Sequence, residues 1–310
     1  MPLLLLIASV LTVGAVVGLF TWRYPRVRTS TPTSTIATAR EVGKTVGRHP
    51  RLRALLAARL NPESATGLAL SVALIVAVAG GVVFAVLAYL IRTNAYLLGI
   101  DNGVAKWGNR HATATSTHVL NDVTQLGGIY LVVGLCVVLA VAETLRQRSV
   151  WVVLFIVSVM GGEEILTLSV KQLADRVRPT FNPAAATLGP SFPSGHSATA
   201  AAFYATAALL IGRWRPRSTR ALITGLAAGI AVGVAATRVL LDVHWLTDVI
   251  AGLSLGWAWF AVCAIAFGGR ILRFGAAAET AAEVAERTAA PGSAEARRPI
   301  VSAGAPDGSS

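Results

Sequence analysis

Acidic side chains are scarce in this sequence: fifteen Asp and Glu stand against twenty-seven Lys and Arg among 310 residues. They are also too scattered to supply the carboxylate cage that two divalent cations require, so no metal is expected. Cysteine is scarcer still. Cys136 and Cys263 each lie inside an apolar run with no second ligand at metal spacing, which argues against both a zinc site and a disulfide and leaves two small core residues. Charged residues make up only 14% of the chain and hydrophobic residues 54%, with a mean hydropathy of +0.63, more apolar than a soluble core needs. The expectation is an all-α polytopic membrane helix bundle. The net charge of +12 would suggest nucleic acid in a soluble domain. Here the basic residues fall in short loops between apolar runs, as membrane topology requires, and no nucleic-acid partner is expected.

Seven runs read as membrane spans, at about 2–20, 67–91, 123–142, 150–170, 197–212, 221–236 and 249–269. No Lys or Arg precedes the first, which argues for a retained helix rather than a cleaved signal. The loop 21–66 carries nine Lys and Arg against Glu41 and Glu63, so it is placed in the cytoplasm and the N-terminus outside. Within it, 40–60 is either a short basic helix on the anionic inner leaflet or a solvated linker. Residues 92–122 are mixed, and Asp101, Lys106, Trp107 and Arg110 suggest an outer interfacial segment with Trp107 at headgroup depth. This gives an N-terminal helix (1–20), a basic cytoplasmic loop (21–66), a six-helix domain (67–273) and a disordered cytoplasmic tail (274–310). Twenty basic residues then lie inside and seven outside, and three of the seven are Lys171, Arg178 and Arg238.

Those three belong to clusters at span edges, where charge is costly and usually has a task. Lys171-x6-Arg178-Pro179 places two cations two helical turns apart, on one face if the helix continues until Pro179 ends it. They either hold oxygens of one phosphate or snorkel to headgroups. Arg176 between them either lines the mouth of a site or faces water. Pro193-Ser194-Gly195-His196 precedes an Ala-rich run and reads as a turn into a helix. Ser194 suits an N-cap, Gly195 lets backbone amides approach an anion, and His196 at the rim is placed to donate a proton to a leaving alkoxide. In Thr237-Arg238-x5-His244-x3-Asp248 the spacing of four puts His244 and Asp248 on one face if the chain is helical there. The carboxylate either fixes the imidazole tautomer and leaves the other nitrogen to attack phosphorus, or makes a structural hydrogen bond. Asp242 is a local counter-ion without an assigned role. Glu163 and Glu164, two turns before Lys171, are expected in a structural pairing.

Three cations, an anion nest, a histidine acid and a carboxylate-backed histidine on one membrane face fit phosphoryl transfer through a covalent intermediate. The three motifs resemble those of the type-2 phosphatidic acid phosphatase and vanadium haloperoxidase superfamily over about 67–273, with Thr237 where the family usually has Ser. The resemblance implies His244 as nucleophile, Asp248 as its orienting partner and His196 as general acid. It implies phosphoryl binding by Lys171, Arg178, Ser194, Gly195 and Arg238, and a lipid phosphate or polyprenyl diphosphate (such as undecaprenyl diphosphate) as substrate, with no cofactor. The site would face the outside of a cytoplasmic membrane. A phosphotransferase using the same histidine, and a lipid transporter or scaffold without turnover, are the alternatives.

Overall fold

The structure is a computed structural model in which residues 1–23, 65–147, 149–213 and 215–271 are described. The segment 40–60, read as a basic helix or a solvated linker, and the tail expected to be disordered lie outside them. The described residues form nine α-helices and no strand. We number them α1 (Pro2–Arg23), α2 (Ala65–Thr93), α3 (Ala95–His111), α4 (Ala114–Thr124), α5 (Ile129–Gln147), α6 (Val150–Ala174), α7 (Gly195–Gly212), α8 (Arg217–Leu240) and α9 (Leu246–Ile271).

Six of these helices (α1, α2, α5, α6, α8 and α9) are long and apolar enough to cross a membrane. The remaining expected span, the fifth at 197–212, is α7. It is built largely of Ala, Ser and Thr and is buried from Ser197 to Phe203, so its surroundings are other helices rather than lipid. The third expected span starts later than predicted. Residues 114–127 instead form α4, opened by a Thr113/Ser116 capping box, and a 3-10 turn, so α5 begins at Ile129. The mixed segment 92–122 is thus two short helices, the first capped by the Asn94 side chain, which accepts from the Tyr96 and Leu97 amides.

Close helix contacts rest on small residues, since apolar side chains gain little from leaving lipid and backbone approach must supply the packing. The Gly14 and Gly18 face of α1 lies on the Ala221, Gly225 and Gly229 face of α8, where a Cβ on Gly225 would fall 2.5 Å from the Gly14 carbonyl oxygen. Larger side chains fill the centre of the bundle, where Phe155, Ile156 and Val159 of α6 pack with Phe203 and Leu210 of α7. At the end of the bundle away from the motifs, Glu143 of α5 pairs with Arg213 at the end of α7, and Arg146 approaches it at 3.6 Å. At the motif end, Arg92 of α2 donates to the Leu173 carbonyl in the last turn of α6.

A side chain at Gly225 must push the two helix backbones apart. Gly225→Val is therefore expected to destabilise the protein by about 1–3 kcal/mol and to lower its unfolding midpoint in detergent micelles. Gly81→Ala, where an added Cβ meets open space, should leave the midpoint unchanged.

Candidate active site

Consecutive antiparallel helices bring the end of α6, the start of α7, the end of α8 and the start of α9 to one end of the bundle, and the three motifs with them. Their local geometry departs from the sequence expectation in two places. Lys171 and Arg178 do not share a helix: α6 ends at Ala174, where Asp175 turns left-handed at φ 42° and donates its N–H to the Lys171 carbonyl. Pro179 disfavours helix in the residue before it, so Arg178 lies in an irregular strap. Ser194 occupies the N-cap position of α7, yet its side chain makes no cap hydrogen bond and instead accepts from the Ser197 hydroxyl at 2.9 Å.

The strap seats Arg178, which is 6% exposed. Its Nε donates to the Gly189 carbonyl at 2.8 Å and its Nη1 to the Val243 carbonyl at 2.8 Å, with Nη1 also 3.1 Å from His244 Nε2. A guanidinium only donates, so Nε2 carries a lone pair and the proton of neutral His244 sits on Nδ1. That nitrogen lies 3.5 Å from Asp248 Oδ2, a separation that a shift of a few tenths of an ångström turns into a hydrogen bond. Burial, opposed by Asp248, lowers the His244 pKa to about 4. The imidazole is therefore neutral near pH 7, with its Nε2 lone pair turned to a fixed cation.

His244 and Asp248 do not meet on a helix face, because α9 starts only at Leu246. His244 is held by its backbone, whose N–H donates to the Arg238 carbonyl at 3.1 Å. Asp248 is in the first turn of α9, where Oδ2 accepts the Trp245 N–H at 3.0 Å in the manner of a capping-box acid. Its own carbonyl accepts the Ser194 N–H at 3.0 Å, which ties the second motif to the third. Gly252, one turn on, lets α9 approach α7: a Cβ there would sit 2.5 Å from the Ser194 carbonyl oxygen.

Arg238 leaves the last turn of α8 and its Nη1 donates to Thr124 of α4 at 3.1 Å. The Thr237 hydroxyl, by contrast, is spent on the Val234 carbonyl at 2.6 Å in its own helix. His196 is half-buried just ahead of the fifth expected span, and burial, followed by the Arg238 charge and then by His244, Lys171 and Arg178, lowers its pKa. The structure thus brings the three motifs to one end of the bundle, with Arg178 against His244 and the Ser194 N–H bonded to the Asp248 carbonyl.

Two neighbours were misjudged and one was left open. Arg176 lines the groove beside the site, as one of its two readings had it, and is held between Asp248 and Asp101, donating to both. Asp101, expected at an interface, is 1% exposed. Among the described residues Asp242 forms no ion pair. It takes a left-handed φ of 54°, its buried Oδ1 lacks a partner, and burial raises its pKa to about 6. Glu163 accepts from Thr167 at 2.7 Å and Thr199 at 3.1 Å, so its partners among the described residues are hydroxyls and not the buried cation that a pairing would need. Among the described residues no three His, Cys, Asp or Glu side chains are grouped to hold a metal. Beside the site, Ile91, Leu98, Val177 and Trp245 wall a groove of about 240 Å³ that reaches Arg176.

The model of the PAP2 superfamily matches residues 150–271, the stretch from α6 through α9. Phosphatidylglycerophosphatase B of Bacillus subtilis is 33% identical over 175 residues, covering 56% of this chain and 85% of that protein. Lipid A 1-phosphatase of Rhizobium johnstonii is 46% identical over 72 residues, only 25% of its length. Among solved structures, the transmembrane PAP2-type phosphatidylglycerolphosphate phosphatase from Bacillus subtilis superposes with a TM-score of 0.60 at 30% identity, over 64% of this chain and 99% of that one.

The Ser194 turn, expected from the sequence to bind an anion, takes its position from the close approach of α9. Gly252→Ala is expected to weaken binding of inorganic phosphate to the protein in micelles by about tenfold, or about 1.4 kcal/mol, measured by titration calorimetry.

Proposed function

The chain belongs to the PAP2 superfamily, and from that premise we propose that it is a multi-pass membrane phosphatase that hydrolyses a lipid phosphomonoester or diphosphate through a phosphohistidine. The observation that carries this reading is the placement of His244, with Nε2 3.1 Å from Arg178 Nη1 and Nδ1 3.5 Å from Asp248 Oδ2.

Arg178, Arg238 and Lys171, with the amides at the start of α7, bind the phosphoryl oxygens and offset the charge that grows on them in flight, which is the largest electrostatic contribution such a site can make. Nε2 of His244 attacks phosphorus as the bond to the leaving oxygen breaks, and the imidazolium that forms is stabilised at Nδ1 by Asp248. His196 gives its proton to the leaving alkoxide. It then takes one from the water that attacks phosphohistidine, so that inorganic phosphate and free His244 are regenerated. Burial, and after it the cations around the ring, keep His196 neutral until a phosphate dianion enters and favours its protonated form, so the acid is armed by its substrate. No step in this scheme calls for a metal. The apolar walls beside Arg176 suit the first methylenes of a lipid chain, and the named activity of the Bacillus relative puts phosphatidylglycerol phosphate first among substrates. We place the site at the outer face of the cytoplasmic membrane, since twenty of the twenty-seven basic residues then lie inside.

Phosphate release from micellar phosphatidylglycerol phosphate, phosphatidate and undecaprenyl diphosphate, with chelator present, tests this reading. Wild type should turn over at least one of them, and His244→Ala should lose at least about 10³-fold. Loss of activity with chelator, or an active variant, overturns the mechanism. Transfer of the phosphoryl group to an added alcohol in preference to water would make the protein a phosphotransferase.

His244 itself should titrate near pH 4, read from its imidazole carbon shift in labelled protein and assigned by difference from His244→Ala. Because the lowered pKa belongs to the folded protein, the neutral nucleophile persists above that pH and is lost below it. A midpoint above pH 6 would contradict a site that holds the imidazole neutral.

A further inference from the structure

Asp101 of α3 precedes Arg176 by 75 residues, lies before the 150–271 stretch that matches the family model, and is nevertheless built into the site. Its Oδ2 accepts from Arg176 Nη2 at 2.7 Å and from the Thr247 hydroxyl at 2.6 Å, and its Oδ1 accepts the Thr247 N–H at 3.0 Å. Arg176 Nη1 donates to the Thr247 hydroxyl at 2.7 Å and to Asp248 Oδ1 at 2.5 Å, with the guanidinium 5.6 Å over the Trp245 ring. Asp101, Thr247 and Asp248 are each at most 3% exposed. The arrangement is a chain, carboxylate to guanidinium to carboxylate to imidazole, whose last step spans 3.5 Å.

The charges in this chain pose a problem that Asp101 solves. A buried guanidinium bonded to Asp248 alone would cancel the negative charge that stabilises the imidazolium formed when Nε2 bonds to phosphorus. With a second carboxylate on its other side, Arg176 is shared. Asp101, Arg176 and Asp248 together then carry one net negative charge, delivered at Oδ2 beside His244 Nδ1. Asp101 also holds the Thr247 amide, so the first turn of α9 and the Asp248 side chain on it are fixed from α3.

We propose that Asp101 is a positioning residue for the reaction, acting through Arg176 to keep Asp248 aimed at His244 and its negative charge available there. The inference rests on the reading of His244 as nucleophile. It assigns α3, which carries none of the three motifs, a part in the chemistry.

The test compares Asp101→Asn, Arg176→Gln and the double variant with wild type, in full-length protein in micelles on the best substrate of the panel. Asp101→Asn should lower kcat by about 10- to 100-fold with KM within about threefold, because the phosphate-binding groups are untouched. In an Asp248→Asn background the same change should cost less than about twofold, since its effect passes through that carboxylate. Pairing it with Arg176→Gln removes the uncompensated positive charge, and the double variant should be faster than Asp101→Asn alone. That comparison also holds the proposal open to refutation if the single variant folds poorly. Asp101→Asn with wild-type kcat, an equal loss in the Asp248→Asn background, or a double variant no faster than the single would each overturn it. An active His244→Ala would overturn this inference and the phosphohistidine reading together. An inactive His244→Ala beside a fully active Asp101→Asn would overturn this inference alone.

Discussion

Four groups converge on one residue, Asp248, and the motif end of the bundle takes its shape from them. The carboxylate receives Arg176 on one oxygen and the Trp245 amide on the other, where His244 also lies, while the main-chain carbonyl receives the Ser194 amide. A fully buried carboxylate must be neutralised or hydrogen-bonded to be tolerated. Meeting that requirement draws in the strap after α6, the turn before α7 and the loop after α8. The site is therefore a consequence of satisfying one buried charge, with the reactive histidine among the groups that satisfy it.

The architecture around that point follows from packing without a solvent-driven force. Helices in a bilayer gain little by hiding leucine from lipid, so close approach is bought with residues that have almost no side chain. The Gly14 and Gly18 face against α8, and Gly252 against the Ser194 turn, are the same device in two places. In the first it fastens an extra helix to the bundle. In the second it sets the position of a backbone amide to within a fraction of an ångström.

Much of this was legible in the sequence because the motifs are local. A serine, a glycine and a histidine in succession describe a turn into a helix, and His244 and Asp248 four apart meet whether the chain between them is helix or loop. What spacing could not show was the path of the backbone. Lys171 and Arg178 looked like neighbours on a helix, and only the left-handed Asp175 reveals that the helix ends between them. Arg176 and Asp101 were hidden for another reason: a lone charge beside a span reads as topology or interface, and 75 residues separate the two partners. The same locality hides what surrounds a span. Composition reports whether a helix is apolar, whereas α7 is surrounded by helices and can carry hydroxyl groups that lipid would not accept.

The contact between α1 and α8 has a consequence for how the protein is made. Gly18 and Gly225 touch across 207 positions of sequence, which a ribosome working at about 5–20 residues per second covers in roughly 10–40 s. Through that interval α1 is already in the bilayer and its glycine face has no partner from its own chain. The last stage of assembly is thus the return of a waiting helix to a neighbour synthesised long after it, and in those seconds any other membrane protein with a small-residue face competes for the same groove.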